Sequence, residues 1–383
     1  MRVENASPCA RQVSGLDPDG GFILSVLARR TYTIQPNGRC VLADEQTPLV
    51  AVAVPETDNV GIMYQDSDLF PYKPLTDIVF RGHAYAPDPL RRFTAAFGVG
   101  AVLKYVEVIG DRSCALSANG SIVFSQPEPL IKVPLRYDRA YGGRDIVAEA
   151  LHGNPYMRLR PYVSEEVALA QASPYLYPRN PCGVGYLIEA TPAATAQLRL
   201  PNLEQPGDLI SPDRLIVGRP ERWSLMPVPC AAGWSAYHWF PRAAWIGLAP
   251  LPVTPIEDLI EVKLGWITAD ALKRRGRSRK VDCRFANGAS PGLQLPYLRG
   301  DETCVLVHLH PHKTHLEFQL PGEYPRIWTD QRNGKLNRTT PVLHTVFVEP
   351  ELNRVSLVWR GCATALRPYF PQELETMPFR VEW

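Results

Sequence analysis

The sequence predicts a mainly β protein of antiparallel sheets, arranged as two sandwich-like lobes with long structured loops and a few short helices. Proline points there first, at 38 of 383 residues, about twice the ~5% background. Each proline removes a backbone donor and ends a helix, and only the windows 90–126 and 256–290 are both long and free of it. Composition points the same way: 45% hydrophobic and 21% charged residues are the profile of a folded chain, which excludes disorder as the main state. Finally, runs rich in β-branched and aromatic residues recur between turn signals.

Taken in order, Phe22–Ala28 and Arg30–Ile34 read as extended, and Asn37-Gly38 supplies a hairpin turn before Arg39–Leu42. Residues 78–86 form a further β segment. From Phe93 to Ile109 a segment broken by Gly98 and Gly100 ends in period-two alternation, and Gly110-Asp111-Arg112 closes it. Residues 127–252 hold nearly half of the prolines and read as loop-rich, with one short helix after Ser164, whose hydroxyl caps while Glu165 and Glu166 favour the dipole. A clearer helix starts at Thr254, with Pro255 at N1 and Glu257 at N3 as a capping box. A second follows Thr268. Strands return at Thr303–Leu309, Leu316–Leu320, Val342–Val348 and Val355–Trp359, with turns at Asn333-Gly334 and Glu351–Asn353. The division expected is a β-rich lobe over 1–200 with a loop-rich insert, and a second over 201–383 carrying the helical segment near 254–280.

The 41 basic and 39 acidic side chains leave a formal charge of +2, which argues against a dedicated nucleic-acid or membrane-surface protein. The N-terminal segment has no signal-like apolar core, and no apolar run is long enough to span a bilayer. Eight scattered cysteines without a CxxC fit neither a zinc finger nor a disulfide framework. A cytoplasmic protein with reduced thiols is expected.

Candidate chemistry is sparse. Gly288-Ala-Ser290-Pro-Gly292 matches a nucleophile elbow formally, but Pro291 has no N–H for the oxyanion hole, and a turn explains the run. His308, His310 and His312 alternate on a predicted strand and are the candidates for a zinc site, set against a histidine-rich hairpin that binds nothing. The phosphate-loop pattern is absent. Lys273, Arg274, Arg275, Arg277, Arg279 and Lys280 form a basic run suited to an acidic surface or a phosphate backbone, although no aromatics are interleaved to stack bases. Trp223, Trp234, Trp239 and Trp245 make an aromatic stretch suited to a core or an interface.

Several irregular segments, in this order, carry a resemblance: Lys73–Pro87, Val108–Arg112, Tyr137–Asp145, Pro178–Tyr186, Leu200–Pro206 and Val355–Gly361. Together they resemble a family, originally uncharacterised, that is encoded in bacterial type VI secretion clusters beside VgrG spikes and PAAR-type effectors. The resemblance runs from about residue 22 to the C-terminus. It departs at Ser113-Cys114, where the family often has an aromatic, and at Ala243–Leu248.

The resemblance implies a non-catalytic adaptor or chaperone that binds an effector and helps load it on the VgrG–PAAR spike. It brings no catalytic residues, and no cofactor is expected; the balanced charge and the basic run without aromatics argue against nucleic acid, and the lack of a long apolar run against membrane insertion. A metal-dependent hydrolase using the histidines and a nucleic-acid accessory protein using the basic run are the alternatives. Gly142-Gly143 permits positive φ and turns Arg139, Tyr141, Arg144 and Asp145 toward one another or a partner. Trp234 and Trp239 are the expected apolar centre of the client interface, with Arg274, Arg275 and Arg277 as its charged rim.

Overall fold

Phe22–Ile34 is buried on both faces, the pattern of a strand covered on each side rather than one that alternates toward water. It pairs antiparallel with Arg354–Ala365 from Phe22↔Ala365 to Arg354↔Thr33, so the chain closes on itself. The computed structural model describes residues 2–4, 7–153, 173–274 and 282–383. Around this central pair stands a seven-stranded sheet, in the order Gln294–Leu295, Thr76–Phe80, Pro341–Glu349, Arg354–Ala365, Phe22–Ile34 and Ala10–Leu16, with Cys40–Leu42 also paired to Phe22–Ile34. Thr76–Phe80 joins Pro341–Glu349 in parallel; the other pairings in this sheet are antiparallel.

A five-stranded sheet runs Leu203–Glu204, Val102–Ile109, Arg92–Val99, Thr303–His310 and Lys313–Gln319. Phe80, Val346, Phe347 and Leu357 of the first sheet and Phe97, Leu306 and Phe318 of the second belong to one buried cluster, so the two sheets share a core in the manner of a sandwich. A mainly β fold with antiparallel sheets and short helices is what the sequence predicted. Both large sheets draw strands from either side of residue 200. A smaller sheet sets Phe379–Glu382 between Arg2–Glu4 and Arg326–Asp330, with Leu336–Thr339 outermost.

The loop-rich middle packs around a second cluster that includes Tyr177, Tyr186, Trp223, Phe240 and Trp245. Ion pairs buried on both sides hold such segments: Arg29–Asp68, Arg242–Asp66 and Lys73–Asp77 at 2.8–3.0 Å, together with Arg179–Glu261 and Arg112–Glu204. Removing one partner of such a pair strands the other charge away from water.

Two helical expectations fare differently. Thr268 accepts a hydrogen bond from the Ala271 amide at the start of the Ala269–Arg274 helix. Thr254 does not cap a helix: its hydroxyl and amide are engaged by Ser224, Pro255 is extended, and only a 3-10 turn, Ile256–Asp258, follows. Leu259 is extended as well, which carries its side chain into the second cluster and separates the turn from the short helix Ile260–Lys263. The helix expected after Ser164 lies outside the described residues.

Candidate functional site

Thr76–Phe80 and His83–Leu90 are two strands, not the single segment expected over 78–86, and the chain bends between them at Arg81-Gly82. The bend leaves Arg81 and His83 beside the end of Pro341–Glu349 and the following Glu351. A cavity of about 290 Å³ opens there. Its floor is apolar, built from Ile62, Val79, Phe80, Leu135, Trp234 and Phe347, all buried. Its rim carries Glu56, Arg81, His83, Arg136, Glu349 and Glu351.

Most of the rim charge is tied up in contacts. Arg81 lies 3.6 Å from the centroid of the Tyr64 ring, donates to the Tyr64 hydroxyl, and sits 3.5 Å from Glu349. Glu349 is also held by Arg354 at 2.7 Å. Arg136 donates to both carboxylate oxygens of Asp58, at 2.9 and 3.0 Å, and to Asp138 at 2.6 Å. Glu351 differs: one of its oxygens accepts from the Tyr85 hydroxyl at 2.7 Å and meets Nδ1 of His83 at 2.5 Å.

Burial, reinforced by the nearby Lys132 and Arg136 charges, holds His83 below the ordinary histidine range despite Glu351. Burial alone would push the Glu351 carboxyl up, yet the Tyr85 and His83 hydrogen bonds outweigh it and keep the carboxyl below its usual range. At neutral pH the pair is therefore an ionised carboxylate against a neutral imidazole. A histidine oriented by a carboxylate is also how a general base is held, but among the described residues no serine, threonine or cysteine lines the cavity.

The residues singled out from sequence are dispersed. Trp234 lines the cavity, and its enclosed indole N–H has no hydrogen-bond partner among the described residues. Trp239 packs edge-on against Tyr137 in a small core cluster. With 2% and 1% of their surfaces exposed, neither ring forms an open apolar face, because both fill the interior between the loops. Tyr141 is buried against Tyr177. Asp145 is spent on backbone: it caps Ile146–His152 through the Ala148 amide and accepts from the Ile188 amide. Arg144 pairs with Glu149. Arg139 is half-buried and lines a separate polar cavity of about 250 Å³ with Asp111, Glu128 and Lys132. Arg274 pairs with Asp282 at 3.2 Å; Arg275 and Arg277 lie outside the described residues.

The three histidines do not converge. A bulge shifts the register between Val307 and His310, and His308 takes a φ of +58°, so the expected alternation fails. His308 faces the Tyr85 carbonyl and the Phe93 ring. His310 reaches Asn353 instead, while accepting from the His312 amide. Among the described residues no group of three His, Cys, Asp or Glu side chains is placed to hold a metal ion. Ser290 is buried, bonded to the Tyr137 hydroxyl at 2.8 Å in a turn whose amides at Gly288 and Ala289 donate to Asp77.

A model of a bacterial family, described as an uncharacterized protein conserved in bacteria (DUF2169), matches residues 19–360. The chain belongs to that family. No curated protein and no solved structure matches the chain. The DUF2169 match takes in every residue that lines the larger cavity, from Glu56 to Leu352. No helix among the described residues is long and apolar enough to cross a membrane.

Sequence reasoning missed Arg81, His83, Arg136 and Glu351. The first two stand inside the segment 73–87, where a charged and a titratable residue flank Gly82. Glu351 read only as part of a turn, and nothing in the sequence joins it to His83 across 268 positions.

Proposed function

We propose that this protein is a non-catalytic adaptor, working in the cytoplasm, that binds a type VI secretion effector and helps load it on the VgrG–PAAR spike. The observation that carries the binding reading is the cavity, whose apolar floor and charged rim reproduce the make-up of a protein-recognition pocket. Its arginines are held by carboxylates and its histidine by Glu351, an arrangement that fixes shape more than it offers a reactive group. The ordered segments that resemble the adaptor family support the choice of client.

These segments work as scaffold and pack in pairs. Tyr137–Asp145 lies along Pro178–Tyr186 through the parallel pairs Tyr141↔Val184 and Gly142↔Gly185. Val108–Arg112 meets Leu200–Pro206 through Asn202, which donates to the Ile109 carbonyl, and through Arg112 on Glu204. Lys73–Pro87 supplies the cavity wall from Val79 to His83.

Co-expression with the products of the neighbouring genes tests the reading. The expected result is a stable complex with a PAAR-type effector or VgrG on size-exclusion chromatography, and lower effector abundance when the adaptor is omitted. Failure to capture either protein, with effector abundance unchanged, overturns it.

A further inference from the structure

We infer that the cavity takes one bulky apolar side chain of the client, set next to a lysine or arginine; this rests on reading the cavity as the client site. Two features of the wall define the ligand. The space, about 290 Å³, is at the lower end of the ~300–1,000 Å³ range of small-molecule pockets. It suits a side chain and its adjoining peptide better than a large cofactor, and Phe80, Phe347 and Trp234 give that side chain an aromatic floor.

The second feature is the charge of the rim. Arg81 and Arg136 are already committed to Tyr64, Glu349, Asp58 and Asp138. Glu351 is held by the uncharged Tyr85 and His83 side chains, with the Lys132 charge acting on it from farther away. An ammonium or guanidinium at the cavity mouth would complete this carboxylate, whereas an acidic neighbour would meet Glu56, Glu349 and Glu351 together.

The probes are acetyl-Arg-Phe-Arg-amide and acetyl-Glu-Phe-Glu-amide, titrated into the full-length protein and followed by calorimetry and by indole fluorescence. The basic peptide is expected to bind saturably, at least tenfold more tightly than the acidic one, with affinity falling as salt rises. Gly233 lines the cavity, and a Cβ there would meet no atom within 4 Å, so the position accepts a side chain, and Gly233→Leu is the variant that adds bulk at the wall. It should weaken the basic peptide at least tenfold while the melting temperature holds. Glu351→Gln should abolish the preference for basic over acidic peptide.

Equal binding of the two peptides to wild-type protein, binding untouched by Gly233→Leu in a folded variant, or no saturable binding up to millimolar peptide each overturns the inference. The peptide titrations need no client, so their failure is distinct from that of the adaptor reading. An effector captured equally by wild type and Gly233→Leu would reject the cavity as its site and leave the adaptor standing.

Discussion

His344 is fully buried in Pro341–Glu349, and among the described residues neither ring nitrogen has a hydrogen-bond partner. Burial drives its pKa well below the ordinary value, and the Lys73 and Arg360 charges push it the same way. Asp77, the carboxylate in that region, is committed to Lys73 at 2.8 Å. The folded protein therefore resists protonating His344 while the unfolded chain accepts the proton near pH 6.5. The stability that comes with a neutral His344 is complete above that pH and is lost as pH falls below it, at up to about 1.4 kcal/mol per unit. His83, His238 and His310 are depressed too, so the wild-type slope alone does not isolate His344. His344→Phe should flatten the slope by about one proton. Urea unfolding at pH 7.5 and 5.5 checks it: equal pH-dependent losses in the two proteins would remove His344 from the account. Nothing in the sequence distinguishes this residue, because Val342-Leu-His-Thr-Val reads as any buried strand with two polar positions. Its environment comes from Lys73 and Arg360, which only the folded sheet brings near.

At the scale of elements, local chemistry was legible where it acts locally. Asn37-Gly38 does turn the chain from Phe22–Ile34 into Cys40–Leu42. Gly142 and Gly143 do hold positive φ, at +151° and +97°. The pairing that demands the second glycine was not legible, since Pro178–Tyr186 is distant in sequence. A Cβ on Gly143 would stand 2.4 Å from the Gly183 carbonyl oxygen, so a substitution there meets backbone as well as an unfavourable dihedral. Gly143→Val should cost about 3 kcal/mol or more, at or beyond the upper end of the range for strain at a special backbone position. The midpoint of urea unfolding reads this directly, and a loss below about 1 kcal/mol would mean the loop relaxes freely. The capping signal at Thr254 misled for the opposite reason. The motif is sound, but burying Leu259 in extended conformation outweighed a helix turn whose faces are largely exposed. The cavity was the least legible element, assembled from five stretches whose shared chemistry exists only after the sheets form.

For the whole molecule, closure of the chain decides which parts are dispensable. The family match ends at residue 360, yet Arg354–Ala365 continues past it and pairs with the start of Phe22–Ile34. Beyond it, Phe379–Glu382 lies between Arg2–Glu4 and Arg326–Asp330, so it is an interior strand of its sheet. Phe379 and Val381 are buried beside Ala10, Val26, Ala28 and Ile327. The Gln12 side chain donates to the carbonyls of Leu374 and Met377 at 2.7 and 2.8 Å, and Arg332 reaches Glu373 at 3.0 Å. A chain ending at Ala365 would lose all of these. Burial of Phe379 and Val381 contributes about 1.5–3 kcal/mol each, and the two Gln12 hydrogen bonds about 1 kcal/mol each. The truncated protein should therefore be less stable by about 5–8 kcal/mol, a large share of the ~5–15 kcal/mol that holds a domain together. It would also expose the Arg326–Asp330 edge, inviting intermolecular strand pairing. Thermal melting and light scattering of residues 1–365 against the full chain give the comparison. A melting temperature within two degrees of the full chain, without aggregation, would show that the C-terminal strand is an appendage and that the fold closes without it.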